Sequence, residues 1–142
     1  MQQPFRLYHI LVVEDNPGDV VLIREAFIES GKSCELVFVN NTESAKAELD
    51  RRAFDLIISD MGPYQEEGAE FIRWIRADGR LKSLPVIVLT GAASSRLAYE
   101  AGANAFIAKS ADIETFVSKI KALAHFWVDV VELPRVPGAV PG

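Results

Sequence analysis

Five short apolar runs punctuate the chain, separated by stretches in which apolar residues recur every three or four positions. The runs are YHILVV (8–13), CELVFV (34–39), FDLIIS (54–59), PVIVLT (85–90) and NAFIAK (104–109). Three of them are rich in Val and Ile with no polar alternation, as parallel strands buried on both faces require. CELVFV is the most mixed and is predicted to lie at an edge.

The intervening patterns are helical. Asn16 is a helix cap with Pro17 at the first helical position, and Val20, Ile23 and Phe27 follow at helical spacing until Gly31 ends the helix. A shorter helix is predicted over 42–50, and Gly68, Phe71, Ile72 and Ile75 stripe a third. The fourth, 93–101, is short and stops at Gly102. Asp112 opens the last, in which Ile113, Phe116, Val117, Ile120, Leu123, Ala124 and Trp127 form one apolar stripe predicted to pack on the sheet. Strand and helix alternate five times, which predicts an α/β fold: a doubly wound parallel sheet with right-handed crossovers and helices on both faces.

Composition narrows the function. The length of 142 residues suits one globular unit, predicted over 1–132, with LPRVPGAVPG (133–142) as a Pro/Gly-rich irregular tail. Twenty acidic against fifteen basic residues give a net charge of -5, which disfavours direct nucleic-acid binding. The single cysteine, Cys34, allows no intramolecular disulfide, fits a reducing compartment and reads as a small core residue. No apolar run approaches the roughly 18 residues of a membrane span. MQQPFRLYH lacks the apolar centre of a signal peptide, so a cytoplasmic location is expected.

The chemistry gathers at the strand ends. Strand one stops at Glu14 and Asp15, strand three at Asp60, strand four at Thr90 and strand five at Lys109. In a doubly wound sheet the crevice beyond the carboxyl ends of the strands is where ligands bind. Three carboxylates there repel one another unless a cation or Lys109 offsets the charge. A hard divalent ion such as magnesium suits such an oxygen set and commonly shares it with a phosphoryl group. Taken singly, Asp15 is helix-start chemistry before Asn16 and Pro17, Asp60 is a turn residue, and Thr90 and Lys109 are surface residues. Their joint placement at successive strand ends favours a site.

The chain resembles response-regulator receiver domains of two-component signalling, in ILVVEDNPGD, FDLIISD, GAEFIRWIR, LPVIVLTG and AGANAFIAKSADIETF. That resemblance implies a flavodoxin-like fold with strand order 2-1-3-4-5 and Asp60 as phosphoacceptor. It places Mg2+ on Glu14, Asp15, Asp60 and the backbone carbonyl of Gly62, with Thr90 and Lys109 on the phosphoryl group. A sensor histidine kinase is then the donor. EDNPGD, KSADIE and HFWVDVVELP are similar to regulators paired with bacterial phytochrome-type kinases. Phe106 stands where the family places a switch aromatic, although a phenylalanine on a buried strand also reads as core.

Three positions depart from the family pattern. In MGPYQEEG, Gly68 matches the usual glycine, but Pro63 comes one position early. Ser110 follows Lys109 where proline is common, so the bond is either trans or strained, a non-proline cis bond costing about 3 kcal/mol. Only nineteen positions separate Thr90 from Lys109, about one helical turn fewer than usual, so the helix-four region is predicted to be shortened.

Thirty-three residues follow Lys109, too few for an effector domain, which predicts output through a downstream protein. Phe126, Val128, Val130, Val131 and Leu133 add apolar residues beyond the last helical stripe. Either they form an interface, with Phe126, Val130 and Val131 in a homodimer through helix four, strand five and helix five, or they fold back on their own domain. Two other readings remain open. One is a receiver-like binding module that does not use phosphorylation. The other is a magnesium-dependent phosphohydrolase, disfavoured because Gly62 stands where an acid/base aspartate is usual, so no enzyme activity on external substrates is expected. His9 and His125 read as structural or surface residues.

Overall fold

The computed structural model describes residues 6–62, 65–91 and 94–134. Its elements run β1 (Tyr8–Val13), α1 (Pro17–Ser30), β2 (Cys34–Val39), α2 (Thr42–Arg51), β3 (Leu56–Ser59), α3 (Gln65–Ala77), β4 (Val86–Thr90), α4 (Ser95–Ala101), β5 (Ala105–Ala108) and α5 (Ile113–Ala124). A π-helical turn, His125–Val130, comes after α5. All five strands are parallel, in the order β2-β1-β3-β4-β5, so CELVFV does occupy an edge.

Residues alternate between two cores, as the period-2 geometry of a strand dictates. Ile10 and Val12 point with Leu56, Ile58, Ile87 and Leu89 to the side covered by α1 and α5, meeting Ile23, Phe27, Phe116 and Ile120. Leu11 and Val13 point with Ile57, Val86 and Val88 to the side of α2, α3 and α4, meeting Leu49, Phe71, Ile72, Ile75 and Ala98. Both sheet faces are covered, which is why the central strands need no polar alternation. Full burial of each large side chain contributes about 1.5–3 kcal/mol, so the sheet and its rim form a rigid platform.

Helix boundaries reflect local chemistry. The Asn16 side chain accepts from Asp19 N–H at 3.0 Å with Pro17 behind it, and Gly31 ends α1 at φ +70, a left-handed conformation suited to glycine. Helix α3 starts at Gln65, three residues before its apolar stripe, because its first turn is polar. Helix α4 starts at Ser95 with Ser94 as its cap; Ala93, the start expected from the sequence, lies outside the described residues.

Three expectations at the end of the chain are corrected, and the alternatives left open for residues 126–133 divide residue by residue. Ile113 is 61 % exposed and does not join the stripe on the sheet, because the first turn of α5 presents it to solvent. The α-helix ends at Ala124 and gives way to the π-helical turn, from which Trp127 still packs against the core on the α1 and α5 side. Val128 and Leu133 are buried and fold back on the domain, whereas Phe126 and Val130 are exposed and Val131 is half-buried. Leu133, assigned to the tail, is thus part of the packed body; the remainder, 135–142, lies outside the described residues.

Candidate functional site

The ladder of the sheet continues one residue past the strands and fixes the polar rim. Glu14 N–H donates to Val39 O at 2.9 Å, Asp60 N–H to Val13 O at 2.9 Å, and Lys109 N–H to Thr90 O at 3.0 Å. Backbone pairing, rather than loop conformation, therefore sets where these side chains emerge.

Carboxylate oxygens of Glu14, Asp15 and Asp60 lie within 4.8 Å of one another. Glu14 is buried, Asp60 half-buried and Asp15 exposed. Lys109 Nζ lies 2.6 Å from Glu14 Oε1, 2.7 Å from Asp19 Oδ2 and 2.8 Å from Asp60 Oδ2. It donates hydrogen bonds to Asp19 and Asp60. The approach to Glu14 is a charge contact outside hydrogen-bonding angles, which leaves the buried Glu14 Oε1 without a donor. The other Glu14 oxygen accepts from Asn16 N–H at 3.2 Å.

The loop after β3 is shaped by two glycines. Gly62, at φ +64, turns its N–H back to Asp60 Oδ1 at 2.8 Å. A Cβ on Gly68 would stand 2.9 Å from Met61 Cα, so the first turns of α3 seat directly against the loop. Asn40, Asn41, Thr42 and Glu67 line the cleft opposite the carboxylates. Pro63 lies outside the described residues. The Lys109–Ser110 bond is trans, as no cis peptide occurs among the described residues.

Charge decides what the cleft accepts. Burial pushes the Glu14 carboxyl up to about 7, opposed by Lys109 and assisted by the charge of Asp60. Burial acts in the same direction on Asp60, but hydrogen bonds from Lys109, the Gly62 N–H and the Thr90 hydroxyl outweigh it and hold Asp60 below the usual carboxylate range. Burial thus favours the neutral form of Glu14, while hydrogen bonds favour the ionised form of Asp60. Burial alone would lower Lys109, yet its hydrogen bonds to Asp19 and Asp60 and the charge contact with Glu14 raise it, so the ammonium stays charged. Several carboxylates against one ammonium, with an unsatisfied buried oxygen on Glu14, suit a hard divalent cation. Glu14, Asp15 and Asp60 are the side chains that could hold one.

Thus Glu14, Asp15, Asp60, Gly62, Thr90 and Lys109 all meet at the carboxyl rim, and Asp19, absent from the sequence reasoning, joins them. Phe106 is half-buried on β5, packed against the core on the α4 side. Its N–H donates to the Tyr99 hydroxyl of α4 at 3.1 Å. Phe106 also lines one groove with Lys119, Leu123, Phe126 and Trp127.

The family model of the response regulator receiver domain matches residues 10–121. The chain belongs to that family. Response regulator Rcp1 of Synechocystis sp. is 27% identical over 135 residues, covering 88% of this chain and 92% of that protein. The Mn(2+)-bound form of response regulator Rcp1 superposes with a TM-score of 0.82 at 27% identity, covering 90% of this chain and 99% of that one. The phosphorylated cyanobacterial phytochrome response regulator RcpA gives 0.83 at 30% identity, over 92% of this chain and 100% of that one. A response regulator in red light signaling of R. palustris gives 0.79 at 28% identity, over 92% and 100%. Among the described residues no helix of this receiver is long and apolar enough to cross a membrane.

Proposed function

We propose that this receiver takes a phosphoryl group on Asp60 from the phosphohistidine of a sensor kinase and passes the signal to a partner protein. The observation that carries this reading is the position of Asp60, held by Lys109 at 2.8 Å and by the Gly62 N–H at 2.8 Å beside Glu14 and Asp15. In the transfer, an Asp60 carboxylate oxygen forms a bond to phosphorus as the phosphorus–nitrogen bond breaks. The imidazole leaves with that electron pair.

Glu14, Asp15, Asp60 and the carbonyl of Gly62 would hold Mg2+, which when bound neutralises charge on the transferring group. Lys109 supplies a fixed positive charge, and the buried Thr90 hydroxyl stands ready to meet a phosphoryl oxygen and draw in the loop after β4. Phe106 responds by moving between the core and the groove it lines. A phytochrome-type kinase as donor is supported by the similarity to RcpA and to the red-light regulator of R. palustris. Phe126 and Val130, exposed beside that groove, and the half-buried Val131 supply the homodimer surface. Action in the cytoplasm fits these partners.

Intact mass after incubation with Mg2+ and acetyl phosphate tests the core of the proposal. Wild type should gain one phosphoryl group and Asp60→Asn none. A wild type unchanged by acetyl phosphate and by a phosphorylated sensor kinase points instead to a receiver that binds partners without phosphorylation.

A further inference from the structure

Lys109 has three ammonium protons and three carboxylate neighbours, of which Asp19 is the one no metal or phosphoryl role claims. We infer that Asp19 is a positioning residue that anchors the Lys109 ammonium during phosphoryl transfer to Asp60; this rests on the function proposed above.

A plainer role for Asp19 is available and the geometry rules it out. Asp19 is the third residue of α1 after the cap Asn16, where an acidic side chain commonly reaches back to the N–H of the capping residue. Here that N–H donates to Glu14 Oε2. The Asp19 carboxylate instead crosses 90 positions of sequence to Lys109 Nζ at 2.7 Å, three-quarters removed from solvent.

Loading of the site separates the three neighbours. Glu14 and Asp60 belong to the set that would hold a divalent ion, and Asp60 becomes an acyl phosphate. Both would then share their oxygens with the ion or the phosphoryl group, and Asp19 is the carboxylate left to Lys109 alone. A lysine ammonium on a four-carbon stem is a mobile point charge with rotamer entropy to lose. A retained carboxylate at 2.7 Å keeps it over Asp60 and leaves its remaining protons for phosphoryl oxygens. Positioning of this kind acts on the rate of transfer rather than on the donor set for the metal.

The test is a double-mutant cycle on full-length protein, reading the rate constant of phosphorylation by acetyl phosphate at saturating Mg2+. Asp19→Asn should slow transfer about tenfold, the size of a lost charge-assisted hydrogen bond. Asp19→Glu should recover most of it, and Asp19→Asn should add nothing in a Lys109→Ala background. An equal slowing with and without Lys109, or no slowing, overturns the inference. If wild type takes up no phosphoryl group, the proposed function fails, and Asp19 is judged on the lysine ammonium signals in 1H–15N NMR spectra. A slowly exchanging signal assigned by Lys109→Arg and lost in Asp19→Asn supports the anchor. No such signal, or one unchanged by Asp19→Asn, overturns it.

Discussion

Arg76 Nη2 donates to Asn104 Oδ1 at 2.7 Å and thereby ties the end of α3 to the entrance of β5. The same guanidinium donates to Gly102 O at 2.9 Å, Lys82 O at 3.0 Å and Leu84 O at 2.7 Å, while Asn104 Oδ1 also accepts from Val86 N–H at 2.8 Å. Gly102 leaves the room, since a Cβ there would stand 2.8 Å from Arg76 Cγ. The shortened α4 is thus closed at its C-terminal end by one fork of donors. Its other end, by Ser94 N–H to Gln65 Oε1 at 3.1 Å, leans on the start of α3.

Truncating this fork leaves several partly buried carbonyls without a donor, each a cost of about 1–3 kcal/mol where water does not reach. Arg76→Ala should destabilise the domain by roughly 2–3 kcal/mol in a denaturant titration. Arg76→Lys should recover little, because a point charge cannot serve four acceptors in a fixed plane. Full recovery by lysine would show that charge, not the fork, is what α4 requires.

Gly68 reverses the ordinary sign of a helical substitution. Replacing an interior helical glycine by alanine normally gains about 0.5–1 kcal/mol. Here the new methyl meets the Met61 backbone at 2.9 Å, next to Asp60. Gly68→Ala should therefore cost roughly 1–3 kcal/mol and lower Mg2+ affinity by shifting the loop. A stabilised variant with unchanged Mg2+ affinity would remove α3 from the description of the site.

Legibility in the sequence differs by element. Strands β1, β3 and β4 were legible because burial on both faces demands unbroken Val and Ile, and the caps Asn16 and Asp112 act locally, accepting from Asp19 N–H and Thr115 N–H as their types suggest. The rim residues were legible because a parallel sheet sends every strand end to the same edge. Asp19 was not, since its type and place fit a routine helix start and its partner is set by tertiary packing. Arg76 reads as the polar side of an amphipathic helix until acceptors of two later segments, 82–84 and 102–104, surround it. The exposure of Ile113 was hidden because periodicity shows which face a residue takes, not where the sheet beneath it ends.

Stability should fall with rising pH in the metal-free protein over the window in which Glu14 keeps its proton only when folded. Its folded value of about 7 lies above the ordinary 4.5, so between these the unfolded chain has released the proton and the native state has not. Stability due to Glu14 is therefore present below about 4.5 and lost as pH rises through about 7. Mg2+ reverses the trend, because it binds the deprotonated carboxylate. The Mg2+-induced rise in Tm should be larger at about pH 8 than at about pH 6, on either side of the folded value, and Glu14→Gln should flatten both dependences. A Mg2+ effect independent of pH would show that Glu14 ionises normally.

Cys34 is predicted to be sluggish. Burial chiefly, with Asp129 and Asp55 adding repulsion, pushes its thiol up to about 11. At about pH 7.5 the thiolate fraction then falls roughly two to three orders of magnitude below that of a free cysteine near 8.5. Iodoacetamide labelling read by mass should be slower by a similar factor in folded than in urea-unfolded protein. Equal rates would place the thiol in water.

The surface around the π-helical turn gives the last prediction. Phe126 is 49 % and Val130 59 % exposed, and Phe126 stands edge-on to Trp127 at 5.6 Å beside the groove that Phe106 lines. Two large apolar side chains left in water at that exposure gain little for the monomer, whereas their burial between two copies would contribute about 25 cal/mol for each Å2 removed from solvent. Light scattering on wild type should report a dimer, and Phe126→Asp with Val130→Asp a monomer, with the Tm of the domain nearly unchanged because neither residue is in its core. If Phe106 couples the site to this surface, phosphorylation of wild type should strengthen the dimer and quench or shift Trp127 emission, measured against a Trp74→Phe background. A dimer that survives both aspartates would move the interface elsewhere on the fold, and a monomeric wild type in either state would leave the groove to a different protein.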